Sequence, residues 1–205
     1  MGFYDTHVLP RLINLVCGIG AIRPSRDRAC EGLHGRVVEL GFGSGHNVES
    51  YPGAVTRVDA VEPSDLGWKL AHDRVSASPI HIERSGLDGE HLPFDDDTFD
   101  CALSTYTLCT IPDLPLALAE VRRVLKPGGT LHFLEHGLAP DEKVRRWQHR
   151  LDPLQQRLAG GCHLNRDIPQ ILTDAGFVVE RLDTFYQPHA AKSSNAMSRG
   201  VATPR

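Results

Sequence analysis

The residues best suited to chemistry form a short glycine-rich run, Glu39-Leu40-Gly41-Phe42-Gly43-Ser44-Gly45. Glycines at 41, 43 and 45 let the chain turn sharply and bring a ligand against main-chain N–H groups with no Cβ in the way, which suits a nucleotide-like ligand. A dinucleotide loop reads Gly-x-Gly-x-x-Gly, and its last glycine lets a helix close on a pyrophosphate; here that position is His46. An acid two residues before the first glycine would repel a diphosphate but suits an ammonium group, so Glu39 indicates a ligand that carries an amino acid. Glu62 lies 21 positions after Gly41, where an acid in an open α/β fold accepts from both ribose hydroxyls; the alternative is a surface acid at a strand end. Asp88, in Asp88-Gly-Glu-His-Leu-Pro-Phe94, can accept from an adenine exocyclic amine while a neighbouring main-chain N–H meets the ring.

Such residues serve one site only if they fall at the carboxyl ends of parallel strands. Residues 36–40 are a short β-branched run entering the glycines, and 55–61, 79–83, 99–104, 130–135 and 177–182 read as further strands. Helical patterns fall at 64–76, with Ser64 as N-cap, at 113–125, at 141–158 and at 166–175, which stops at Gly176. Residues 5–20 set Val8, Leu12, Leu15 and Val16 at helical spacing, an amphipathic helix able to pack on an edge or cap a pocket. Residues 196–202 are weakly strand-like and are expected to pair antiparallel with the sixth strand. The pattern predicts an α/β fold: a doubly wound, Rossmann-like, mostly parallel seven-stranded sheet with a C-terminal antiparallel strand. Residues 1–205 are expected to form a single domain, a helical cap segment over 1–33 and a cofactor-binding core over 34–205.

Composition narrows the partners. The chain has 205 residues, 40% of them apolar and 23% charged, with a formal net charge of −4. That suits a globular domain rather than a disordered chain, and without a basic excess no nucleic-acid partner is expected. The five cysteines, at 17, 30, 101, 109 and 162, are widely spaced with no Cys-x-x-Cys pair, so they are read as reduced and no metal is expected. Neither a signal peptide nor an integral membrane segment is visible, and the expected location is cytoplasmic.

Four segments carry a family likeness. Val38-Glu-Leu-Gly-Phe-Gly-Ser-Gly45, Leu92-Pro-Phe94, Phe99-Asp100 and Glu120-Val-Arg-Arg-Val-Leu-Lys-Pro-Gly-Gly129 resemble successive motifs of class I S-adenosylmethionine-dependent methyltransferases over residues 36–135. The resemblance implies S-adenosyl-L-methionine as cofactor and S-adenosyl-L-homocysteine as product. It makes Glu39, Gly41, Gly43, Glu62, Asp88 and Gly89 cofactor contacts, with Gly45, Asn47, Pro63 and Thr105 beside them. Phe42 stands where Cys or Ala is more usual, at a position that contributes mainly backbone.

A narrower likeness concerns the acceptor. Thr105-Tyr-Thr-Leu-Cys-Thr-Ile111, Phe133-Leu-Glu-His136, Trp147-Gln148 with Leu151-Asp-Pro153, and Gly161-Cys-His-Leu-Asn-Arg166 resemble the methyltransferase-like group that includes animal microsomal alkyl-thiol methyltransferases. The wider group is also similar to phospholipid N-methyltransferases and quinone C-methyltransferases. The animal proteins carry a hydrophobic N-terminal anchor that is not seen in this sequence. The resemblance implies a small, apolar acceptor, a thiol or sulfide first and a lipid or quinone second; a non-catalytic S-adenosylmethionine-binding protein would show the same cofactor motifs. His136, at the end of strand five, and His163, beside Cys162, are the candidates for activating the acceptor. Their alternatives are a backbone hydrogen bond and a surface position. Arg166 could cap the pocket or pair with Glu135 or Asp167. Tyr4 and Asp5 could belong to a lid, by analogy alone.

Overall fold

The computed structural model describes residues 2–188 and 191–205, leaving out the side chain of Asp5; the lid role for that side chain lies outside the described residues. Seven strands, β1 Gly35–Leu40, β2 Val55–Val61, β3 His81–Gly86, β4 Phe99–Thr105, β5 Leu125–His136, β6 Phe177–Tyr186 and β7 Ala196–Pro204, form one sheet in the order β3-β2-β1-β4-β5-β7-β6. The first five pair in parallel, and β7 runs antiparallel to both β5 and β6. Strand order reverses between β1 and β4, which opens the ligand crevice of a doubly wound sheet at their carboxyl ends.

Alternation along the strands sorts the core into two layers. Val38, Leu40, Ala102 and Phe133 face one side, under α4 (Leu114–Val124) and α6 (Ile168–Asp174). Val37, Cys101, Leu103 and Val58 face the other, with Cys30 from α2 (Arg23–Cys30) and Ala71 from α3 (Asp65–Ala77). Phe99, Phe133 and Phe177 are fully buried, and each such side chain contributes roughly 1.5–3 kcal/mol of transfer free energy. Helix starts are set by local chemistry: Ser64 accepts from the Gly67 N–H at 3.0 Å, and Asp113 from the Leu116 N–H at 3.0 Å.

β7 pairs antiparallel with β6, as expected, and also with β5, so that it lies between the two. Its residues explain the place. Ala196, Met197, Ser198 and Ala202 are buried, and a Cβ at Gly200 would collide with the Arg181 carbonyl and the Phe133 ring. β6 is the outer strand, longer than the predicted 177–182, and it carries Glu180, Arg181 and Asp183 on exposed or half-exposed positions, a charged edge that resists further pairing. β5 starts earlier than predicted: Leu125 already pairs with Phe99, a bulge takes up Lys126–Gly129, and Thr130 resumes opposite Cys101.

The N-terminal segment is not one helix. A π-turn over Tyr4–Val8 leads into α1 (Leu9–Cys17), a 3₁₀ turn over Gly20–Ile22, and the separate helix α2. The apolar stripe read from the sequence faces solvent: Leu15 is 71% exposed and Val8, Leu12 and Val16 are exposed too, while Leu9 is buried. The inward side bridges the mouth of the sheet. Tyr4 donates to the Leu158 carbonyl at 2.7 Å at the end of α5 (Glu142–Leu158), and His46 Nε2 meets the Asn14 carbonyl at 3.1 Å beside the glycine run. No helix among the described residues is long and apolar enough to cross a membrane.

Candidate active site at the carboxyl ends of the strands

The glycine run leaves β1 with Gly41 at φ +63° and Gly43 at φ +58°, conformations that cost a side-chain-bearing residue about 1 kcal/mol or more. A Cβ on Gly41 would also strike the Thr107 side chain of the loop after β4. Gly41→Ala is therefore expected to lose about 1–3 kcal/mol of stability, read as a melting temperature lowered by roughly 2–4 °C per kcal/mol. Gly53→Ala, with no atom within 4 Å of its Cβ position, is the control; equal melting of the two variants would contradict the assignment. The Gly41 and Phe42 N–H groups both donate to the Val61 carbonyl at 2.9 and 3.2 Å, and the Gly45 N–H to the Phe42 carbonyl at 3.0 Å. The Phe42 ring packs inward against Trp68, with centroids 5.4 Å apart.

Glu39, Asn47 and Thr105, expected to lie near one ligand, are joined in one buried network. Asn47 Nδ2 donates to Glu39 Oε1 and to Thr105 Oγ1, each at 2.9 Å, and the Tyr51 hydroxyl donates to Glu39 Oε2. Glu39 is 1% exposed, and burial pushes its carboxyl up to about 7, against the hydrogen bonds from Tyr51 and Asn47. Two members, Tyr51 and Arg26, are not among the expected site residues. Arg26, on α2 and 5% exposed, donates from Nη1 to Asn47 Oδ1 at 2.7 Å and to Thr105 Oγ1 at 2.9 Å, and its guanidinium stacks on the Tyr106 ring at 5.1 Å. The Arg26 Nε–H and the Tyr106 hydroxyl are buried with no partner among the described residues. A buried cation with an unfilled donor beside a buried acid has the polarity of a receptor for a zwitterion.

Glu62 ends β2 with its carboxylate turned back on the glycine run, accepting from the Gly43 N–H at 2.6 Å and the Ser64 N–H at 2.7 Å. Burial raises its pKa, while those two N–H groups and Arg84 pull the other way. Pro63 beside it is exposed. Asp88 sits on an exposed turn, accepting from the Glu90 N–H and His91, which together hold its carboxyl below the usual range. Gly89 packs its backbone near Leu40 and Ile111. This turn is tied to α4: Glu120 accepts from the Leu92 N–H at 2.9 Å, and Arg123 donates to the Phe94 and Leu92 carbonyls at 2.7 and 3.0 Å. Two of the family segments thus fix one another.

The loop after β4 is clamped by Glu135, which accepts from Ser104 Oγ at 2.7 Å and the Thr107 N–H at 2.9 Å. Burial raises the Glu135 pKa to about 7, against those donors. That clamp sets Cys109 beside His136, and the loop after α5 adds Cys162. The two Sγ atoms are 3.2 Å apart, and Cys162 Sγ is 3.7 Å from His136 Nδ1 and 3.8 Å from Nε2. A hydrogen bond from Cys109, with help from His136 and against burial, lowers the Cys162 pKa. The same bond and burial raise that of Cys109. Burial opposes protonation of His136, but Cys162 outweighs it and the net shift is upward.

His136 therefore lies in a cluster with Cys109 and Cys162, two cysteines that no local spacing motif in the sequence joins. His163 does not join them; its Nδ1 is 3.5 Å from Asp152 Oδ2, and its N–H donates to the Cys109 carbonyl at 2.9 Å. Arg166 makes neither of the expected ion pairs and donates to the Leu108 carbonyl at 2.5 Å.

Known proteins resemble this chain in sequence and in fold. A methyltransferase domain family matches residues 38–133. The thiol S-methyltransferase TMT1B of Rattus norvegicus is 32% identical over 158 residues, 74% of this chain and 63% of that protein. TMT1B of Mus musculus is 31% identical over 172 residues, 80% of this chain and 68% of that protein. The chain thus spans just under two thirds of the length of the rat relative. Among solved structures, the complex between the Haloferax volcanii Trm112 methyltransferase activator and a methyltransferase aligns with a TM-score of 0.73 over 98% of this chain and 96% of that one, at 18% identity, a likeness of fold.

Proposed function

Because the chain belongs to the class I S-adenosylmethionine-dependent methyltransferases, we propose that it methylates a small, apolar acceptor, a thiol or sulfide, and releases S-adenosyl-L-homocysteine. The observation that carries the donor half is the buried pair Glu39 and Arg26, joined through Asn47. An apolar fold has no use for either charge there, whereas a methionine head group presents an ammonium for one and a carboxylate for the other. Glu39 takes the ammonium and Arg26 the carboxylate through its free Nε–H. Thr105 and Asn47 hold the two side chains in register. Glu62, with Pro63 beside it, meets the ribose hydroxyls, and Asp88 with Gly89 meets the adenine edge. Gly41, Phe42, Gly43 and Gly45 provide the backbone surface between them. When bound, S-adenosylmethionine supplies a methyl group made electrophilic by its sulfonium.

The acceptor half rests on the buried Cys109–His136–Cys162 cluster, which sits at the same strand ends. Thiols ionise near pH 8.5, so an acceptor sulfur needs orientation more than a strong base, and holding it in line is worth up to several kcal/mol. His136 faces that acceptor. We assign His163 to the rim, where it braces the Cys162 loop against Asp152. The relatives' S-methylation supports sulfur as the receiving atom.

The test is turnover, followed by mass spectrometry, on a panel of ethanethiol, hydrogen sulfide, a phosphatidylethanolamine and a quinol. Thioether formation is expected, with the lipid and quinol untouched. Methylation of the lipid or quinol alone would overturn the thiol reading. Donor binding with no turnover on any acceptor would make the chain a binding protein.

A further inference from the structure

We propose that Cys109, His136 and Cys162 form a three-ligand site for a soft divalent cation, zinc first, whose fourth position takes the sulfur of the acceptor. The fourth-position part rests on the thiol reading above; the three-ligand part does not.

Three donor atoms from three separate segments, the loop after β4, the end of β5 and the loop after α5, lie within 4.8 Å of one another. Zinc bonds of about 2.3 Å to sulfur and about 2.0–2.1 Å to nitrogen make tetrahedral edges of about 3.8 Å between sulfurs and about 3.6 Å between sulfur and nitrogen. Two of these edges are 3.2 Å and 3.7 Å and the third, between Cys109 and His136, is within 4.8 Å, so one ion is held once the sulfurs move apart by about half an ångström and the His136 ring turns in toward Cys109. The imidazole presents both nitrogens to Cys162 at nearly equal distance, and its ring torsion is soft enough to turn either one in. Two thiolates and an imidazole are soft donors that suit zinc over magnesium or calcium, and a doubly charged ion neutralises two thiolates that burial would otherwise penalise. Two sulfurs and one nitrogen leave a position open, as in catalytic rather than structural zinc sites.

The supports around the three are rigid. Gln148 is fully buried, accepting from the Ala139 N–H at 2.9 Å and donating to the Gly137 carbonyl at 2.9 Å, which fixes the chain just past His136. Asp152 accepts from the Leu164 N–H at 2.7 Å, and the His163 N–H and Arg166 tie the Cys162 loop to Cys109 and Leu108. Metal ligands held this way are oriented before the ion arrives. Glu135 is occupied by Ser104 and Thr107, and Cys17 lies outside the 4.8 Å group, which leaves the fourth position to a ligand from outside. An entering thiol loses its S–H proton to solvent, and the electron pair so freed makes the metal–sulfur bond. No oxidation state changes.

The test uses the full chain purified under reducing conditions, stripped of metal and titrated with cobalt(II) under argon. One cobalt per chain is expected, with a near-ultraviolet sulfur-to-cobalt band and the visible bands of tetrahedral cobalt. Cys109→Ser and Cys162→Ser should each halve the sulfur band and weaken uptake at least about tenfold, while Cys17→Ser leaves both unchanged. Added ethanethiol should strengthen the sulfur band and shift the visible ones. A folded wild-type chain that takes up no cobalt, or forms a Cys109–Cys162 disulfide in its place, overturns the site, as does uptake that survives both serine variants. Cobalt bands that ignore ethanethiol, or thiol methylation at full rate by strictly metal-free protein, overturn the fourth-position assignment and leave the thiol reading standing. Stoichiometric cobalt that responds to ethanethiol, in a protein that methylates no thiol, supports the site and removes only the thiol reading.

Discussion

Arg26→Met is expected to weaken S-adenosylmethionine binding by about 100-fold, measured by isothermal titration calorimetry. A charge-assisted hydrogen bond contributes about 1.5–3 kcal/mol, and about 2.7 kcal/mol is a factor of 100. Methionine keeps most of the length and packing of the side chain against Tyr106 and removes the charge, so the loss reads the carboxylate contact rather than a cavity. The variant also strips Asn47 Oδ1 and Thr105 Oγ1 of a donor, which makes a companion necessary. Arg26→Lys keeps the cation but not the planar fork that serves Asn47, Thr105 and the free Nε–H together. Its binding should fall between wild type and methionine. If Arg26→Met melts normally and binds the donor within threefold of wild type, the carboxylate is held elsewhere and Arg26 is only a brace for Asn47.

That Arg26 had to be found in the structure, while Glu39 was visible in the sequence, follows from how each is positioned. Glu39 ends a strand with a local β-branched signature and enters a glycine run, so its neighbours announce its place. α2 has no apolar stripe: its inward face is Ser25, Arg26, Ala29 and Cys30, and periodicity reports helices only when the buried face is apolar. The available signs were weaker, namely Pro24 at a helix start and four charged residues among positions 23–28. Cys109 and Cys162 were hidden for a different reason. Local spacing finds metal or redox pairs within a few residues, whereas these two stand 53 positions apart and meet because β4 and β5 are neighbours and α5 returns the chain to their ends.

The acceptor-side segments illustrate the limit of reading a motif as a list of contacts. Glu135, Gln148, Asp152 and Arg166 all fall in recognisable stretches, yet each makes at least one hydrogen bond to a backbone group of the loops around the cluster. Their residue types are dictated by unpaired N–H and C=O groups in buried loops, which must find partners. The same logic explains the sheet. The five parallel strands are local runs and were legible one by one, but the insertion of β7 between β5 and β6 is a non-local pairing decided by Gly200 and the small residues around it.

Donor binding is expected to follow a bell-shaped pH dependence with its maximum between about pH 7 and 8, because the productive pair is a Glu39 carboxylate facing an ammonium. Burial holds the Glu39 carboxyl up to about 7 from an ordinary 4.5. The folded state thus keeps a proton that the unfolded chain has released, and ionising Glu39 costs stability as pH rises from the ordinary glutamate range to about 7. An ammonium placed against the carboxylate reverses that shift. Below pH 7 binding must therefore expel the proton, and affinity should rise toward tenfold per pH unit until Glu39 is ionised in the free protein. Above pH 8 the donor's own amine, with an ordinary pKa of about 7.7–8.0, loses its charge and affinity falls again. Calorimetry in buffers of different ionisation enthalpy reads the proton count directly, one released in the acid limb and none near the maximum. Glu62 is also buried and shifted upward, so Glu39→Gln is the deciding variant. It should lose the acid limb, keep the alkaline one, and bind weakly at the maximum. An acid limb that persists in Glu39→Gln would move the titration to Glu62 and take the ammonium away from Glu39.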